Sequence, residues 1–231
     1  MFHFKQFSIE DNRCAMKVGT DAVLLGAWVN LNDLHRILDI GTGSALIALT
    51  LAQRSGNSTS IEAIESEETD AQQASKNVSA SPWANRIKVF HQSLQKFESE
   101  KFDLIVSNPP YFINSQLPPA THRAKARHTN TLSYEELIYH SVRLMEKTSR
   151  LAVILPVEEG NLFRSIAQSH HLFCNRQLAF FSRANKPQER WLFEFSFHTS
   201  LPIKEKLVLH GAGEMWSEEY QVLTRDFYLK L

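Results

Sequence analysis

The chain is poor in cysteine, glycine and proline, and it has no long apolar run. Its 231 residues include 2 Cys, 8 Gly and 8 Pro. Two thiols, Cys14 and Cys174, are too few for a disulfide framework or a four-thiolate zinc site, so a reducing, cytoplasmic setting is the default expectation. So little Gly and Pro excludes a collagen-like or low-complexity chain. No apolar stretch reaches the roughly 18 residues that a membrane span needs, and the opening MFHFKQFSIEDNR lacks the basic-then-apolar layout of a secretory signal. Neither sign of charge is in excess: 25 Lys and Arg face 25 Asp and Glu. That balance argues against a surface attracting nucleic acid everywhere, although a local basic patch remains compatible with it. The 10 His include the neighbours His170 and His171 and the loop pair His122 and His128. None sits at zinc spacing, so no metal is expected.

What is present is ordinary globular material, 43% hydrophobic and 22% charged. The length is about one and a half typical domains. It reads as a single domain over 1–231, with an extension over 1–34 and a core over 35–231. Short apolar runs alternate with helical segments. Arg36–Ile40, Ser60–Ile64, Ile87–Phe90, Phe102–Val106 and Leu151–Leu155 read as strands, the last stopped by Pro156. Ser44–Arg54 and Glu67–Val78 read as helices, and Ser133 with Glu136 makes a capping box at the head of another. Thr20–Trp28 reads as a further helix, with Thr20 or Asp21 at its cap. Strands alternating with helices imply an α/β fold, a mostly parallel twisted sheet with helices on both faces and right-handed crossovers. The last fifty or so residues break this rhythm. Phe173–Ser182 and Arg190–His198 have no room for a helix between them, so they are expected to pair antiparallel. Trp191, Phe193, Phe195 and Phe197 alternate with Leu192, Glu194 and Ser196, a period-two face read as plain core before a base-stacking platform. Leu207–Leu209 and Phe227–Leu229 are expected to complete an antiparallel C-terminal edge.

Asp39-Ile-Gly41-Thr-Gly43-Ser sits where the first core strand becomes a helix. Glycines at such a turn let the chain reverse sharply and let a ligand lie against bare backbone. In open parallel sheets the ligand crevice lies beyond the carboxyl ends of the strands. A dinucleotide site would want a third glycine where Leu46 stands. A nucleoside-type ligand without phosphate would instead use Asp39 and backbone groups for an amino-acid moiety. Glu65, ending the next strand, can accept two ribose hydroxyls. The blander reading of both features is a tight turn beside a solvated acid.

Ser107-Asn108-Pro109-Pro110-Tyr111 follows the fourth core strand directly. Two successive prolines end the strand ladder and fix two backbone dihedrals. The amide oxygen of Asn108 and the carbonyl of Pro109 can then converge on one point, a geometry suited to a planar exocyclic amine with two N–H donors. Accepting both hydrogen bonds favours a pyramidal nitrogen and frees its lone pair for attack. The ring of Tyr111 offers a surface on which an extruded base can stack. Standing alone, the motif would be a proline-terminated loop; beside the glycine loop it points to chemistry.

These residues carry a resemblance. DIGTGSALIAL from Asp39, the acid at Glu65 and NPPY from Asn108 resemble the class I methyltransferases that use S-adenosylmethionine and modify exocyclic or amide nitrogens. The resemblance narrows at MKVGTDAVLLGAW (from Met16), at the AxxNxxxSPWANRI-like spacing from Ala74 to Ile87, and at LVLHG and FYLKL near the end. There the chain is similar to the bacterial tRNA adenine-N6 methyltransferases, a family acting on the adenosine just 3′ of the anticodon, adenine 37, in a valine tRNA. The resemblance implies a Rossmann-like fold, S-adenosyl-L-methionine as cofactor and tRNA as substrate. It implies that Asp39, Gly41 and Gly43 hold the cofactor's methionine end, Glu65 its ribose, and Ser93 and Leu94 its adenine side. Thr20 and Asp21 fall in the segment that closes over the cofactor. Asn108, Pro109, Pro110 and Tyr111 form the catalytic motif that holds the acceptor adenine, with Asn108 also bordering the cofactor. The family usually has Asp where this chain has Ser93, so altered cofactor affinity is expected.

Between Pro118 and Thr131, Arg123, Lys125 and Arg127 place positive charges close together beside NPPY, suited to gripping RNA phosphates; a merely solvated face is the alternative. Arg183, Lys186 and Arg190 form a second candidate group, and Lys17 a third. The expectation is a monomeric, cytoplasmic enzyme, with no membrane or metal partner, that methylates adenine N6 in tRNA. Alternatives are an NPPY-type enzyme acting on ribosomal RNA, DNA adenine or a protein glutamine amide, a non-catalytic S-adenosylmethionine-binding protein, and a nicotinamide-binding enzyme. The short stretch before the first core strand, without a recognition domain, favours an RNA whose own fold supplies recognition.

Overall fold

The computed structural model describes residues 1–14, 16–111, 132–211 and 213–230. After a two-residue-strand hairpin, β1 (Phe2–His3) and β2 (Ser8–Ile9), comes helix α1 (Thr20–Trp28). Then strands and helices alternate: β3 (Arg36–Ile40), α2 (Leu46–Arg54), β4 (Ser60–Glu65), α3 (Glu68–Ser79), β5 (Ile87–His91) and β6 (Phe102–Ser107). Next are α4 (Tyr134–Arg143), β7 (Met145–Pro156), α5 (Val157–Ser169), β8 (Phe173–Arg183), β9 (Arg190–Ser196), β10 (Ile203–His210) and α6 (Glu218–Thr224).

Eight of these strands form one sheet in the order β10-β8-β9-β7-β6-β3-β4-β5. The pairings from β7 through β6, β3 and β4 to β5 are parallel. β9 is antiparallel to both β7 and β8. The expected antiparallel pairing of β8 with β9 is therefore present. The outermost strand differs from expectation, because β10 lies parallel to β8. Residues 227–229 also stay out of this sheet: Phe227 accepts a hydrogen bond from the Lys5 backbone and Tyr228 bridges to Phe4, tying the end of the chain to its beginning.

The alternation within each strand divides the core in two. Ile37, Ile61, Leu104, Ala152 and Ile154 face one layer with α1, α2 and the end of α3, while Leu38, Ile64, Ile105, Leu151 and Val153 face the other with α4 and α5. Strands buried on both faces read as nearly continuous apolar runs, as Ile37-Leu38 and Leu104-Ile105-Val106 do within β3 and β6. Trp191, Phe193 and Phe195 stack into the second layer, so the aromatic face of β9 is core. Helix α5 was not anticipated. Its Gly160 lies against Trp191 and Phe193, where a Cβ would come within 3.0 to 3.2 Å of side-chain atoms, so a side chain there would require the rings to give way.

Within the stretch over 1–34, Val23, Leu24 and Leu25 of α1 are fully buried against α2. The N-cap of α1 is Gly19 and no side chain caps it, so neither Thr20 nor Asp21 has that role. The far end of α1 is anchored by cations, Arg54 donating to the carbonyls of Gly26 and Val29, and Arg176 to that of Trp28. Carbonyls at a helix C-terminus attract such donors. Buried Glu194, paired with Arg150 and Arg176, accepts from the Asn30 backbone and completes the anchor. Anchoring that end fixes where the first turn of α1, with Asp21, projects.

Candidate active site

In the parallel register Ile40 of β3 faces Ser107 of β6, and the hydroxyl of Ser107 donates to the Ile40 carbonyl at 2.9 Å. The next residues, Gly41 and Asn108, therefore leave the sheet side by side, one strand spacing of about 4.8 Å apart. The glycine loop and the proline motif, far apart in sequence, open at one point on the carboxyl edge of the sheet.

Gly41 and Gly43 have φ of +68° and +56°, left-handed values that a side chain would strain. Among the described residues a Cβ at either position would meet nothing within 4 Å. The Gly41 and Thr42 amides both donate to the Ile64 carbonyl, at 3.0 and 3.1 Å. Asp39 is fully buried beneath this loop. Its Oδ2 accepts from Thr42 Oγ1 at 2.6 Å and the Ala48 amide at 3.2 Å, whereas its Oδ1 has no partner among the described residues. Burial pushes the carboxyl up to about 7, although the bonds from Thr42 and Ala48 oppose the shift.

Glu65 ends β4 with its carboxylate held on three sides. Oε1 accepts from the amides of Ser66 and Glu67 at 2.8 and 3.1 Å, and Oε2 from the amide of Gly43 at 2.9 Å. A carboxylate has about four lone-pair positions, so this fixed group retains capacity for further hydroxyl donors. Ser93 is half-buried in the turn after β5, and the preceding Gln92 amide bonds the Glu65 carbonyl at 2.8 Å. The Leu94 side chain lies in the core.

These features fit S-adenosylmethionine. A buried acceptor without a donor suits an ammonium, a rigid carboxylate suits vicinal hydroxyls, and a loop without Cβ atoms admits a ligand against its backbone. Asn77 on α3 supports the same loop. Its amide donates to the carbonyls of Ser44 and Glu10 at 2.9 and 2.8 Å and accepts from the Glu10 amide at 3.0 Å. Sequence reasoning quoted Asn77 within a motif but gave it no role.

In the proline motif Pro109 is buried, Pro110 exposed and Asn108 half-buried. The Tyr111 hydroxyl lies 2.5 Å from Asp21 Oδ2 and 3.2 Å from Asn108 Oδ1. Arg190 Nε donates to the same Asp21 oxygen at 2.8 Å, and its guanidinium stands 5.4 Å from the centre of the Tyr111 ring. Burial, reinforced by neighbouring Asp21, raises the Tyr111 hydroxyl well above the usual phenol range, so it stays a donor. Asp21 thus joins α1 to the proline motif, and Arg190 is separated from the basic group in which the sequence placed it. Arg183 of that group bonds Glu214 and the Gly213 carbonyl instead, and Lys186 is an exposed turn residue.

The Lys17 ammonium donates to the carbonyls of Asp11 and Cys14, at 2.6 and 3.3 Å, closing its own loop. Arg123, Lys125 and Arg127 lie outside the described residues. Among the described residues no group of three or more His, Cys, Asp or Glu could hold a metal ion, and no helix is long and apolar enough to cross a membrane.

Residues 14–155 match the model of the methyltransferase small domain. The chain is 44% identical over its full length to a Bacteroides thetaiotaomicron protein named tRNA1(Val) (adenine(37)-N6)-methyltransferase, covering 98% of that protein. Proteins of the same name from Trichodesmium erythraeum and Histophilus somni are 44% and 41% identical, each matching 99% of this chain across 98% and 97% of its own length. Among solved structures, a predicted O-methyltransferase from Agrobacterium tumefaciens superposes with TM-score 0.68 at 16% identity, over 90% of this chain and 96% of that one. A putative class I S-adenosylmethionine-dependent methyltransferase from Listeria monocytogenes does so with TM-score 0.58 at 12% identity, over 82% and 63%. At such identities these structures speak for the fold alone, and an oxygen-directed neighbour leaves the acceptor atom to the motif. With the glycine loop and NPPY side by side on a class I sheet and full-length relatives at this identity, the chain belongs to the tRNA1(Val) (adenine(37)-N6)-methyltransferase family.

Proposed function

We propose that the chain transfers a methyl group from S-adenosyl-L-methionine to the exocyclic N6 of adenine in tRNA, at adenine 37 of tRNA1(Val). The observation that carries this reading is the emergence of Gly41 and Asn108 side by side from paired strand ends. A cofactor on one and a base on the other would meet with their reacting groups adjacent.

When bound, the cofactor supplies an electrophilic methyl group on a sulfonium. Asp39 and the Gly41–Gly43 backbone hold its amino-acid end, Glu65 its ribose hydroxyls, and Ser93 with the Leu94 main chain its adenine side. Ser93 offers a hydroxyl where the family has an acid, so this contact is a neutral hydrogen bond, weaker than a charge-assisted one. Asn108 Oδ1 and the Pro109 carbonyl accept the two N–H groups of the acceptor amine. Both bonds strengthen as the nitrogen pyramidalises, so they favour the transition state over the bound substrate. Tyr111 packs its ring against the extruded base, whose unstacking costs a few kcal/mol. Pro110 and Pro109 restrict the loop, so orientation is set before the substrate arrives; such positioning supplies on the order of 7–11 kcal/mol in favourable cases. The attacking amine needs no strong general base, because it loses its proton after the bond to carbon forms. Arg123, Lys125 and Arg127 grip backbone phosphates, and the chain works as a monomer in the cytoplasm.

The test separates binding from chemistry. Asn108→Ala is expected to lower kcat on tRNA about a hundredfold or more, while calorimetry shows the cofactor still binding. Label from S-adenosylmethionine, mapped on total small RNA by nuclease digestion and mass spectrometry, is expected at N6 of adenine 37 in tRNA1(Val). Label on another RNA or on protein alone, or undiminished turnover by Asn108→Ala, would reject the assignment.

A further inference from the structure

Tyr111 has one hydroxyl proton and, among the described residues, two acceptors within reach, Asp21 Oδ2 at 2.5 Å and Asn108 Oδ1 at 3.2 Å. The two differ in kind as well as distance. A bond to a carboxylate is shorter and roughly twice as strong as one to a neutral amide oxygen, so the proton lies toward Asp21. The choice matters because Asn108 Oδ1 is the atom assigned to the acceptor amine. A protein hydroxyl donating to that oxygen would take up one of its two lone pairs and crowd the space beside it, weakening the bond left for the substrate.

Arg190 makes the arrangement durable. Its Nε bonds the same Asp21 oxygen at 2.8 Å, in a pair whose side chains are only 27% and 19% exposed. Asp21 is thereby held between two donors, with its charge balanced beside a site that must receive RNA phosphates. The three residues come from separate parts of the fold: the first turn of α1, the end of the proline motif and the first residue of β9. β9 runs against its neighbours, and Arg190 pairs with Pro156 at the end of β7, so its first residue stands on the edge where β3 and β6 end. Neither Asp21 nor Arg190 has a necessary part in the bare NPPY chemistry.

We propose that Asp21, held by Arg190, is a positioning residue that turns the Tyr111 hydroxyl proton away from Asn108 and keeps the Asn108 amide oxygen open for the amine of the methyl acceptor. This inference rests on the reading of Asn108 as the amine acceptor. In Asp21→Ala the hydroxyl proton has Asn108 Oδ1 as its remaining acceptor among the described residues and competes with the substrate. Replacing Tyr111 by Phe in that background removes the competing proton while leaving the ring.

The experiment measures kcat, KM for tRNA and cofactor affinity for the full chain and for Asp21→Ala, Tyr111→Phe, Asp21→Ala/Tyr111→Phe and Arg190→Lys, with a melting curve for each. Asp21→Ala is expected to lose about tenfold or more in kcat, with KM and cofactor affinity moving far less. The double variant is expected to recover to the level of Tyr111→Phe alone, a gain that loss of packing would not produce. Arg190→Lys, which retains the charge but not the Nε contact, is expected to fall between wild type and Asp21→Ala. Should Asp21→Ala melt before assay, Asp21→Asn and its combination with Tyr111→Phe follow the same logic, with a smaller loss and the same recovery. A double variant no better than the Asp21 single variant, or an Asp21 variant with wild-type kcat, would overturn the proposal. If Asn108→Ala retains full turnover, the assignment of Asn108 itself falls. If Asn108→Ala is inactive and recovery is absent, only the proton-steering role falls.

Discussion

Asp39 gives the most direct physical test of the cofactor pocket, through Asp39→Asn. The wild-type carboxyl is fully buried, with one oxygen bonded twice and the other without a partner. Burial moves it from 3.8 to about 7. Between those values the folded chain keeps a proton that the unfolded chain has lost. Stability therefore falls as pH rises through this window, by at most about 1.4 kcal/mol per pH unit, and levels off above it. A displacement of that size is worth on the order of 4 kcal/mol in all. Asn can keep an oxygen toward Thr42 and Ala48, but its amide nitrogen then stands where Oδ1 lacks a partner. A buried unsatisfied donor costs about 1–3 kcal/mol, which offsets only part of the roughly 4 kcal/mol the ionised wild type has lost by pH 8, so the slope is the clean observable. Urea denaturation from pH 5 to 8 is expected to show wild-type stability declining relative to Asp39→Asn, by about 2 kcal/mol or more across the range. Binding a ligand ammonium against Asp39 favours the ionised form. Calorimetry of S-adenosylmethionine binding at pH 6, in buffers of different ionisation enthalpy, is expected to show proton release for wild type and none for the variant. A stability difference that stays flat across this range, or equal proton release, would refute the account of Asp39 as a desolvated acid awaiting a cation.

Three further outcomes follow from the packing. Asn77→Ala removes the bonds linking α3 to Glu10 and Ser44; it is expected to cost about 1–3 kcal/mol by thermal melting and to weaken cofactor binding in titration, because Ser44 ends the glycine loop. Gly26→Ala puts a methyl 2.7 Å from Thr50 Cγ2 and 2.8 Å from its Cβ where α1 crosses α2; denaturation is expected to show a loss of about 1–3 kcal/mol, which Thr50→Ala only partly relieves because the Cβ contact remains. Lys17→Ala is expected to leave the salt dependence of tRNA affinity unchanged, since its ammonium serves carbonyls of its own loop; a slope shallower by about one in log affinity against log salt would instead make it a phosphate contact.

The central strands β3 and β6 are legible in the sequence because each is a short, largely apolar run buried on both faces, and burial of that kind needs only neighbouring residues to announce itself. The capping box of Ser133 and Glu136 forms as its spacing predicts, since it closes within one turn. The glycine loop and NPPY are legible for the same reason: a left-handed turn and a proline-fixed corner are local demands on the backbone. Helix α5 was less visible, because Gly160 and a mixed polar pattern hide a face that only Trp191 and Phe193 define. The direction of β10 was invisible, since parallel or antiparallel pairing depends on which edge of the sheet is vacant when the strand arrives. Asp21, Tyr111 and Arg190 belong to three separate stretches of the chain, and no periodicity joins them. What the sequence determined by itself was everything set by steric and hydrophobic rules acting over a few residues. The strand order, the reversal of β9 and the anchoring of α1 decided the rest, because a carboxylate, a phenol and a guanidinium interact through distances that only the folded sheet creates.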